Sequence, residues 1–241
     1  MFKFSQEETM KKTVLAGFFG LLSAVILTSS ASAAVLTIKT PFEGAAPVVE
    51  KVKADADAKC KLAHPDGIVA DQVIVNANGT LKNVFVYAKE GVTGKFEAPK
   101  DPVKFDQQGC TYHPKVFGIQ VGQPLEILNS DDTLHNVHAL PTASQGFNLG
   151  MPIKGMKLKK TFTKPEVMVK IKCEVHPWMG AWAGVLEHPF FGVTGDDGAT
   201  TIKDLPAGEY TIEAWHEKYG AQTLKVTMTD QDQEISFPFK A

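Results

Sequence analysis

The sequence predicts an all-β protein built from short strands and many turns. The 241-residue chain contains 20 glycines and 14 prolines, which favour short elements joined by turns. Apolar and polar side chains alternate with a period of two, most clearly between Val167 and Cys173, as expected for a strand with one buried face. Beyond residue 33, no segment has a clean helical period of 3.6 residues.

Composition restricts the class of protein. Apolar residues make up 44% and charged residues 22%, as in soluble proteins that bury a core, which excludes a disordered chain or a multi-span membrane protein. The formal net charge is −2, and the 25 basic residues are all lysine. Nucleic-acid binders favour net positive charge and arginine, so we expect no nucleic-acid partner.

The segment 1–33 has the pattern of a signal peptide. Lys11 and Lys12 precede an apolar run from Val14 to Leu27, and Ala31-Ser32-Ala33 forms a small-x-small cleavage site. The apolar run is short for a bilayer span. We therefore expect an exported, periplasmic protein that begins near Ala34 and has no stable membrane insertion after cleavage.

Export determines how the three cysteines are interpreted. In an oxidising compartment two cysteines normally pair, and the third needs an explanation. Cys60 and Cys110 lie in turn-rich surroundings, whereas Cys173 ends an alternating strand and precedes a histidine and a methionine. We predict a Cys60–Cys110 disulfide and a free Cys173 that binds a metal as the thiolate.

Turn residues divide the chain into a series of predicted strands. A hairpin is predicted from Val73–Val75 and Val84–Tyr87 around the turn Asn76–Gly79. The further predicted strands are Lys115–Gln120, Leu125–Leu128, Val167–Cys173 and Ala181–Glu187.

From residue 188 onward, three turns alternate with short strands at residues 200–202, 210–214 and 224–228. This segment resembles the carboxypeptidase-regulatory-like or transthyretin-like β-sandwich module. It is only about half as long as a complete module, so we expect it to borrow strands from the first part of the chain. The predicted organisation is a signal peptide at 1–33, a metal-binding domain with an N-terminal extension at 34–187, and the module-like segment at 188–241.

One cluster of residue types predicts a metal site. Cys173, His176 and Met179 follow the spacing C-x2-H-x2-M, and His135 follows a strand upstream. A thiolate, two imidazoles and a thioether are the donors of a copper ion with trigonal His2Cys ligation and a weak axial methionine. Zinc gains little from a thioether. His138 is the alternative to His135, since residues three apart in an extended segment face opposite sides.

These motifs resemble the cupredoxins, the blue type 1 copper proteins, and among them the amicyanin-type and plastocyanin-like members. The resemblance covers residues 115–187 and rests on Leu134–His138 together with Cys173–Met179. It implies a Greek-key β-sandwich, one copper per chain and reversible transfer of single electrons between redox partners. It selects His135, Cys173, His176 and Met179 as ligands and implies that Asn136 links the two ligand loops by hydrogen bonding.

Alternatives remain beside this interpretation. The second hypothesis is a structural or surface-binding β-sandwich protein whose copper site is vestigial or repurposed. The third is a copper oxidase or reductase with a second metal site among His64, His113, His138, His188 and His216, but their scattered spacing gives that site no support. Without a nucleophile motif or an open coordination position, we expect an electron carrier rather than an enzyme.

Overall fold

Twenty strands and one short helix make up the part of the chain that the computed structural model describes, residues 34–241. The first elements are β1 Ala34–Lys39, β2 Phe42–Glu43, β3 Lys51–Val52, α1 Ala58–Ala63, β4 Ile68–Val69, β5 Phe85–Glu90, β6 Val103–Gln108, β7 Thr111–His113, β8 Val116–Gln120, β9 Leu125–Asn129 and β10 His135–Leu140. They are followed by β11 Phe147–Met151, β12 Lys157–Lys160, β13 Glu166–Lys172, β14 Gly180–Leu186, β15 Phe191–Val193, β16 Ala199–Leu205, β17 Gly208–His216, β18 Gly220–Met228, β19 Gln233–Ser236 and β20 Phe239–Lys240. The predicted all-β fold class is confirmed, and the predicted signal peptide lies outside the described residues.

Two sheets enclose the core on which the predicted ligands lie. One has the strand order β11-β10-β13-β14-β8 and the other the order β12-β9-β6-β7. Their facing side chains form one buried cluster that includes Phe105, Ile127, Val137 and Ile171. Apolar residues at every second position of these strands are thereby removed from water, which is what stabilises a β-sandwich.

One residue of the clearest predicted strand faces the wrong way. Val167 was expected on the inward face, but its exposed fraction is 39%, whereas Met168 is buried. The register of β13 against β14 shifts between Glu166 and Val169, so the alternation restarts there and places Val169, Ile171 and Cys173 inward.

A second core is built from both ends of the described chain. β1 lies between β16 and β19, and β5 lies between β15 and β17, with β18 at the edge. The buried cluster between them includes Leu36, Ile38, Val86, Ile212 and Phe239. Strands from before residue 91 therefore complete the sheets of the C-terminal segment.

The predicted hairpin forms only at its turn. The Gly79 amide donates to the Asn76 carbonyl at 2.9 Å, but Val75 makes only an isolated bridge to Leu81. The strand predicted at Val84–Tyr87 is β5, and it pairs with β15 and β17 instead. Its partners come from more than one hundred residues away, and local turn chemistry does not reveal such partners.

Two adjacent glycines allow the sheet that contains β8 and β14 to pack closely against Phe85 and Phe191 of the neighbouring sheet. Gly118 on β8 and Gly184 on β14 are paired neighbours in the sheet. A Cβ at Gly184 would overlap the Phe85 ring, and one at Gly118 would overlap the Phe191 ring. The centroids of the two phenylalanine rings are 6.0 Å apart, and both rings pack closely against the backbone at these glycines.

The segment 51–69, which we call the lid, was not predicted as a structural unit. It contains β3, α1 and β4, and the helix corrects the expectation that none exists beyond residue 33. Asp57 caps this short helix by accepting the amides of Lys59 and Cys60 at 2.8 and 2.9 Å. A disulfide joins Cys60 to Cys110, as predicted. Within residues 34–241, no helix is long and apolar enough to cross a bilayer.

Candidate metal centre

The predicted ligands lie at the start of β10 and in the connection between β13 and β14. His135 opens β10 and points inward with Val137 and Ala139, since these three residues share one face of the strand. Cys173 follows the last residue of β13 on the inward face, and His176 and Met179 lie in the loop that leads to β14.

The three strong donor atoms converge in the buried interior. The Nδ1 atoms of His135 and His176 are 2.9 Å apart, and the Sγ of Cys173 is 3.7 Å from Nδ1 of His176. All three atoms lie within 4.8 Å of one another. Both histidines are 0% exposed and Cys173 is 4% exposed, so water does not compete for this space.

Backbone hydrogen bonds hold the ligand loop closed. The Cys173 amide donates to the Met179 carbonyl at 3.2 Å, and the Met179 amide donates to the His176 carbonyl at 3.0 Å. The His176 amide also donates to the Cys173 sulfur at 3.3 Å. Met179 is buried in the same cluster as Cys173, on the loop that carries two of the strong donors.

Carboxylates lie at the outer edges of the two imidazoles, and sequence reasoning missed both. Asp131 Oδ2 is 2.8 Å from Nε2 of His135, and Asp57 Oδ2 is 3.8 Å from Nε2 of His176. The polar run 129–132 before His135 was a signal for Asp131, whereas Asp57 lies far away in sequence and gave none.

The charges of these groups depend on one another. Burial raises the pKa of Asp131, but hydrogen bonds from the Cys110 amide and from His135 outweigh burial and hold that pKa below its ordinary value. Burial and the neighbouring His135 lower the pKa of His176, against the opposing effect of Asp57. His176 is therefore neutral at pH 7, as an imidazole must be to bind a metal.

Tyr112 lies beside the cysteine. Its hydroxyl donates to the Asn136 carbonyl and also faces the Cys173 sulfur. Burial, followed by the proximity of Cys173, raises the pKa of Tyr112 above its ordinary value, so the phenol stays protonated as a donor.

The lid covers the far side of His176. The Cys60 sulfur of the disulfide lies 3.8 Å from Nε2 of His176. The Trp178 ring lies 5.1 Å from the imidazole, and its Nε1 donates to the Cys110 carbonyl at 2.9 Å. The disulfide and Trp178 therefore cover His176.

Asn136 and His138 occupy distinct places. Asn136 Oδ1 accepts the Glu174 amide at 3.1 Å, and this hydrogen bond links β10 to the ligand loop. His138 lies on the opposite face of β10, and its Nδ1 is 2.5 Å from a carboxylate oxygen of Glu174. The strand's alternation therefore keeps His138 away from the cluster.

The other four histidines lie apart from this centre. His64 contacts the Gly109 carbonyl, His113 contacts Thr111, and His188 accepts the Phe190 amide. His216 is buried against Tyr219. Within the described chain, none of the four joins a cluster of metal-ligating groups.

The donor set fits copper. Two Nδ1 atoms at 2.9 Å share at most one proton between them, and a cation placed there would satisfy both lone pairs together with the thiolate. Soft sulfur ligands favour Cu(I) and imidazole suits Cu(II), so His135, Cys173 and His176, with Met179 nearby, would hold both oxidation states.

No family model and no curated protein matches the sequence. Parts of the chain are similar to solved copper proteins. A Cu-containing nitrite reductase from Thermus scotoductus SA-01 is 25% identical over 41% of this chain and 26% of that chain, with a TM-score of 0.35. A purple cupredoxin from Nitrosopumilus maritimus is 20% identical over 34% of this chain and 97% of that chain, with a TM-score of 0.30.

A point mutant of amicyanin in its reduced state is 23% identical over 37% of this chain and 86% of that chain, with a TM-score of 0.32. Each of these likenesses covers less than half of this chain. The side chains of this chain alone therefore define the candidate metal centre.

Proposed function

We propose that this protein is an exported blue copper protein that carries single electrons between redox partners in the periplasm. The observation that carries the proposal is the convergence of two Nδ1 atoms and one sulfur in a buried site, with Met179 on the same closed loop. The N-terminal sequence supports export, and the disulfide is consistent with an oxidising compartment.

Copper, when bound, would supply a reversible one-electron couple. The chain's own contribution is a rigid donor set, because backbone hydrogen bonds close the ligand loop and Asn136 ties it to β10. A site that changes little between two oxidation states transfers an electron with little rearrangement, and burial excludes water that would otherwise bind the metal. We propose a carrier rather than an enzyme, because the donor side chains are buried and the lid covers Nε2 of His176, so a substrate would have no direct access to the donors.

A titration of the mature chain from residue 34 with Cu(II) tests the proposal. We expect one equivalent per chain and an intense visible thiolate-to-copper band. Cys173→Ser should abolish that band while the far-ultraviolet circular dichroism stays that of a folded β protein. His138→Asn is the matched control, since His138 faces away from the cluster, and it should keep the band.

A colourless wild-type protein would overturn the assignment. A thiolate-to-copper band that persists in the Cys173→Ser variant would overturn it as well. Weak binding through histidines alone would favour the structural β-sandwich with a vestigial copper site.

A further inference from the structure

The two carboxylates at the outer edges of the imidazoles are held by hydrogen bonds from the surrounding chain, two to Asp131 and three to Asp57, one of which is the Lys59 amide of the helix cap. Asp131 accepts the amides of Gly109 and Cys110, both at 2.8 Å. Asp57 accepts the Cys60 amide at 2.9 Å and the Thr133 hydroxyl at 2.7 Å. Each half of the disulfide thus donates its backbone N–H to one of the two carboxylates.

This arrangement determines which imidazole nitrogens face inward as lone pairs. A neutral imidazole carries one N–H, and the nitrogen that carries it cannot bind a metal. A carboxylate accepts but does not donate, so Asp131 at 2.8 Å favours the proton of His135 on Nε2 and leaves Nδ1 free toward Cys173. Asp57 also faces the outer nitrogen, Nε2, of His176, but at the longer distance of 3.8 Å.

The carboxylates also add charge where water screens poorly. Their side chains are each 18% exposed, while the histidines that they face are fully buried. Negative charge close to the donors favours the more positive of two oxidation states. A carboxylate on the outer nitrogen also makes the inner nitrogen a stronger donor.

We propose that Asp131 is a positioning residue that holds the His135 imidazole with its Nδ1 inward, and that the charges of Asp131 and Asp57 together favour Cu(II) over Cu(I). The inference rests on the proposed copper site and adds to it a role for the disulfide, which fixes both carboxylates through its backbone amides. Through Asp57, the lid is part of the metal centre's electrostatics as well as its cover.

Neighbouring aspartates provide matched controls. Asp132 follows Asp131 directly, but its side chain is 74% exposed and pairs with Lys59. Asp55 stands two residues before Asp57, and its side chain is 55% exposed and pairs with Lys61. Neutralising either control removes the same unit of charge nearby without touching an imidazole.

The experiment compares Asp131→Asn with Asp132→Asn, and Asp57→Asn with Asp55→Asn, in the copper-loaded mature chain. Reduction potentials are measured by spectroelectrochemistry. We expect Asp131→Asn to shift the one-electron equilibrium toward Cu(I) at least tenfold, about 59 mV upward. Asp57→Asn should shift it in the same direction by less, because its distance is longer. Each control should shift this equilibrium less than about threefold. Asp131→Glu, which keeps the carboxylate, should shift the equilibrium by no more than half as much as Asp131→Asn on the scale of the reduction potential.

A second readout needs no copper. Long-range 1H–15N spectra of the metal-free protein report which nitrogen of His135 carries the proton. We expect Nε2 in the wild type and in Asp132→Asn, and a larger share of Nδ1 in Asp131→Asn, because the amide offers only one acceptor oxygen. This measurement also decides the matter if Asp131→Asn fails to load copper, since a wild-type His135 protonated on Nδ1 would overturn the proposal.

Equal shifts in Asp131→Asn and Asp132→Asn would likewise overturn it, because the effect would then be a general one of charge. Failure of the proposed function looks different. The wild type would then show no thiolate band at all, whatever the His135 tautomer.

Discussion

His216 is a buried histidine whose Nε2 has no hydrogen-bond partner among the described residues. Its Nδ1 accepts the Lys218 amide at 3.1 Å, and its ring stacks on Tyr219. Burial, with a smaller contribution from Lys115, lowers the pKa of His216 to about 4. The folded state therefore holds the neutral imidazole, while the unfolded chain binds a proton at its ordinary pKa.

This difference makes stability depend on pH. The unfolded state binds more protons below about pH 6.5, so the free energy of unfolding falls as the pH drops from about 6.5 to about 4. At about 1.4 kcal/mol per pKa unit, the loss attributable to His216 is roughly 3 kcal/mol.

His216→Asn, which keeps an acceptor for the Lys218 amide, should flatten this part of the profile. The measurement is urea unfolding of the metal-free protein at a series of pH values. Groups common to both proteins cancel in the difference. Parallel profiles for the two proteins would show that His216 is not the titrating group.

At the scale of elements, the lid is a short excursion that depends on its disulfide. The helix α1 has six residues, far fewer than an isolated helix needs in water. Its N-cap Asp57, the buried sulfur of Cys60 and the apolar contact of Ile68 hold it against the body. The lid was missed in the sequence because so short a helix carries no period.

Removing the disulfide with the double variant Cys60→Ala and Cys110→Ala should loosen this cover. The crosslink spans 50 residues, so its removal should lower the free energy of unfolding by about 2–4 kcal/mol, through greater freedom of the unfolded chain. Urea unfolding measures this change. Copper should also pass to an external chelator faster than from the wild type, because the Cys60 sulfur no longer covers His176.

Lys59→Gln is the control for the lid, since it breaks only an exposed ion pair with Asp132. It should leave both the unfolding curve and the rate of copper removal unchanged. An unchanged rate in the double variant as well would mean that the lid does not limit access to the metal.

At the scale of the whole molecule, the strands of two cores are interleaved along the chain. β1 and β5 precede in sequence the sandwich that carries the candidate metal centre, yet they pair with β16, β17 and β19 after it. Phe85 and Phe191, which pack against Gly184 and Gly118, then join the two sets of sheets. The boundary at residue 188 stays a prediction, and this interleaving bears on whether the segment folds alone.

A fragment of residues 188–241 should not fold by itself. Without β1 and β5, its sheets lose central strands and leave Ile202 and Ile212 exposed. Amide dispersion in a 1H–15N spectrum measures folding directly. Mixing the fragment with residues 34–187 should restore dispersion, and a dispersed spectrum from the fragment alone would instead establish an independent domain.

The donor residues of the candidate metal centre, eight of the twenty described strands and the disulfide partners could be predicted from the sequence, because each depends on local pattern. Alternation placed Cys173 at the end of an inward face, and the turn-rich surroundings of Cys60 and Cys110 separated them from it. The spacing around His176 identified the chemistry of the donors, since thiolate, imidazole and thioether together suit few metals.

Tertiary structure alone decided what covers and polarises the site. Asp57 and His176 are distant in sequence, and they come close because the disulfide to Cys110 and a hydrogen bond from Thr133 hold the lid beside the ligand loop. The pairing of β5 with β17 likewise joins strands from opposite ends of the chain. Local propensity determines that a segment is extended, but its partner depends on which arrangement buries the most apolar surface, and that is a property of the whole chain.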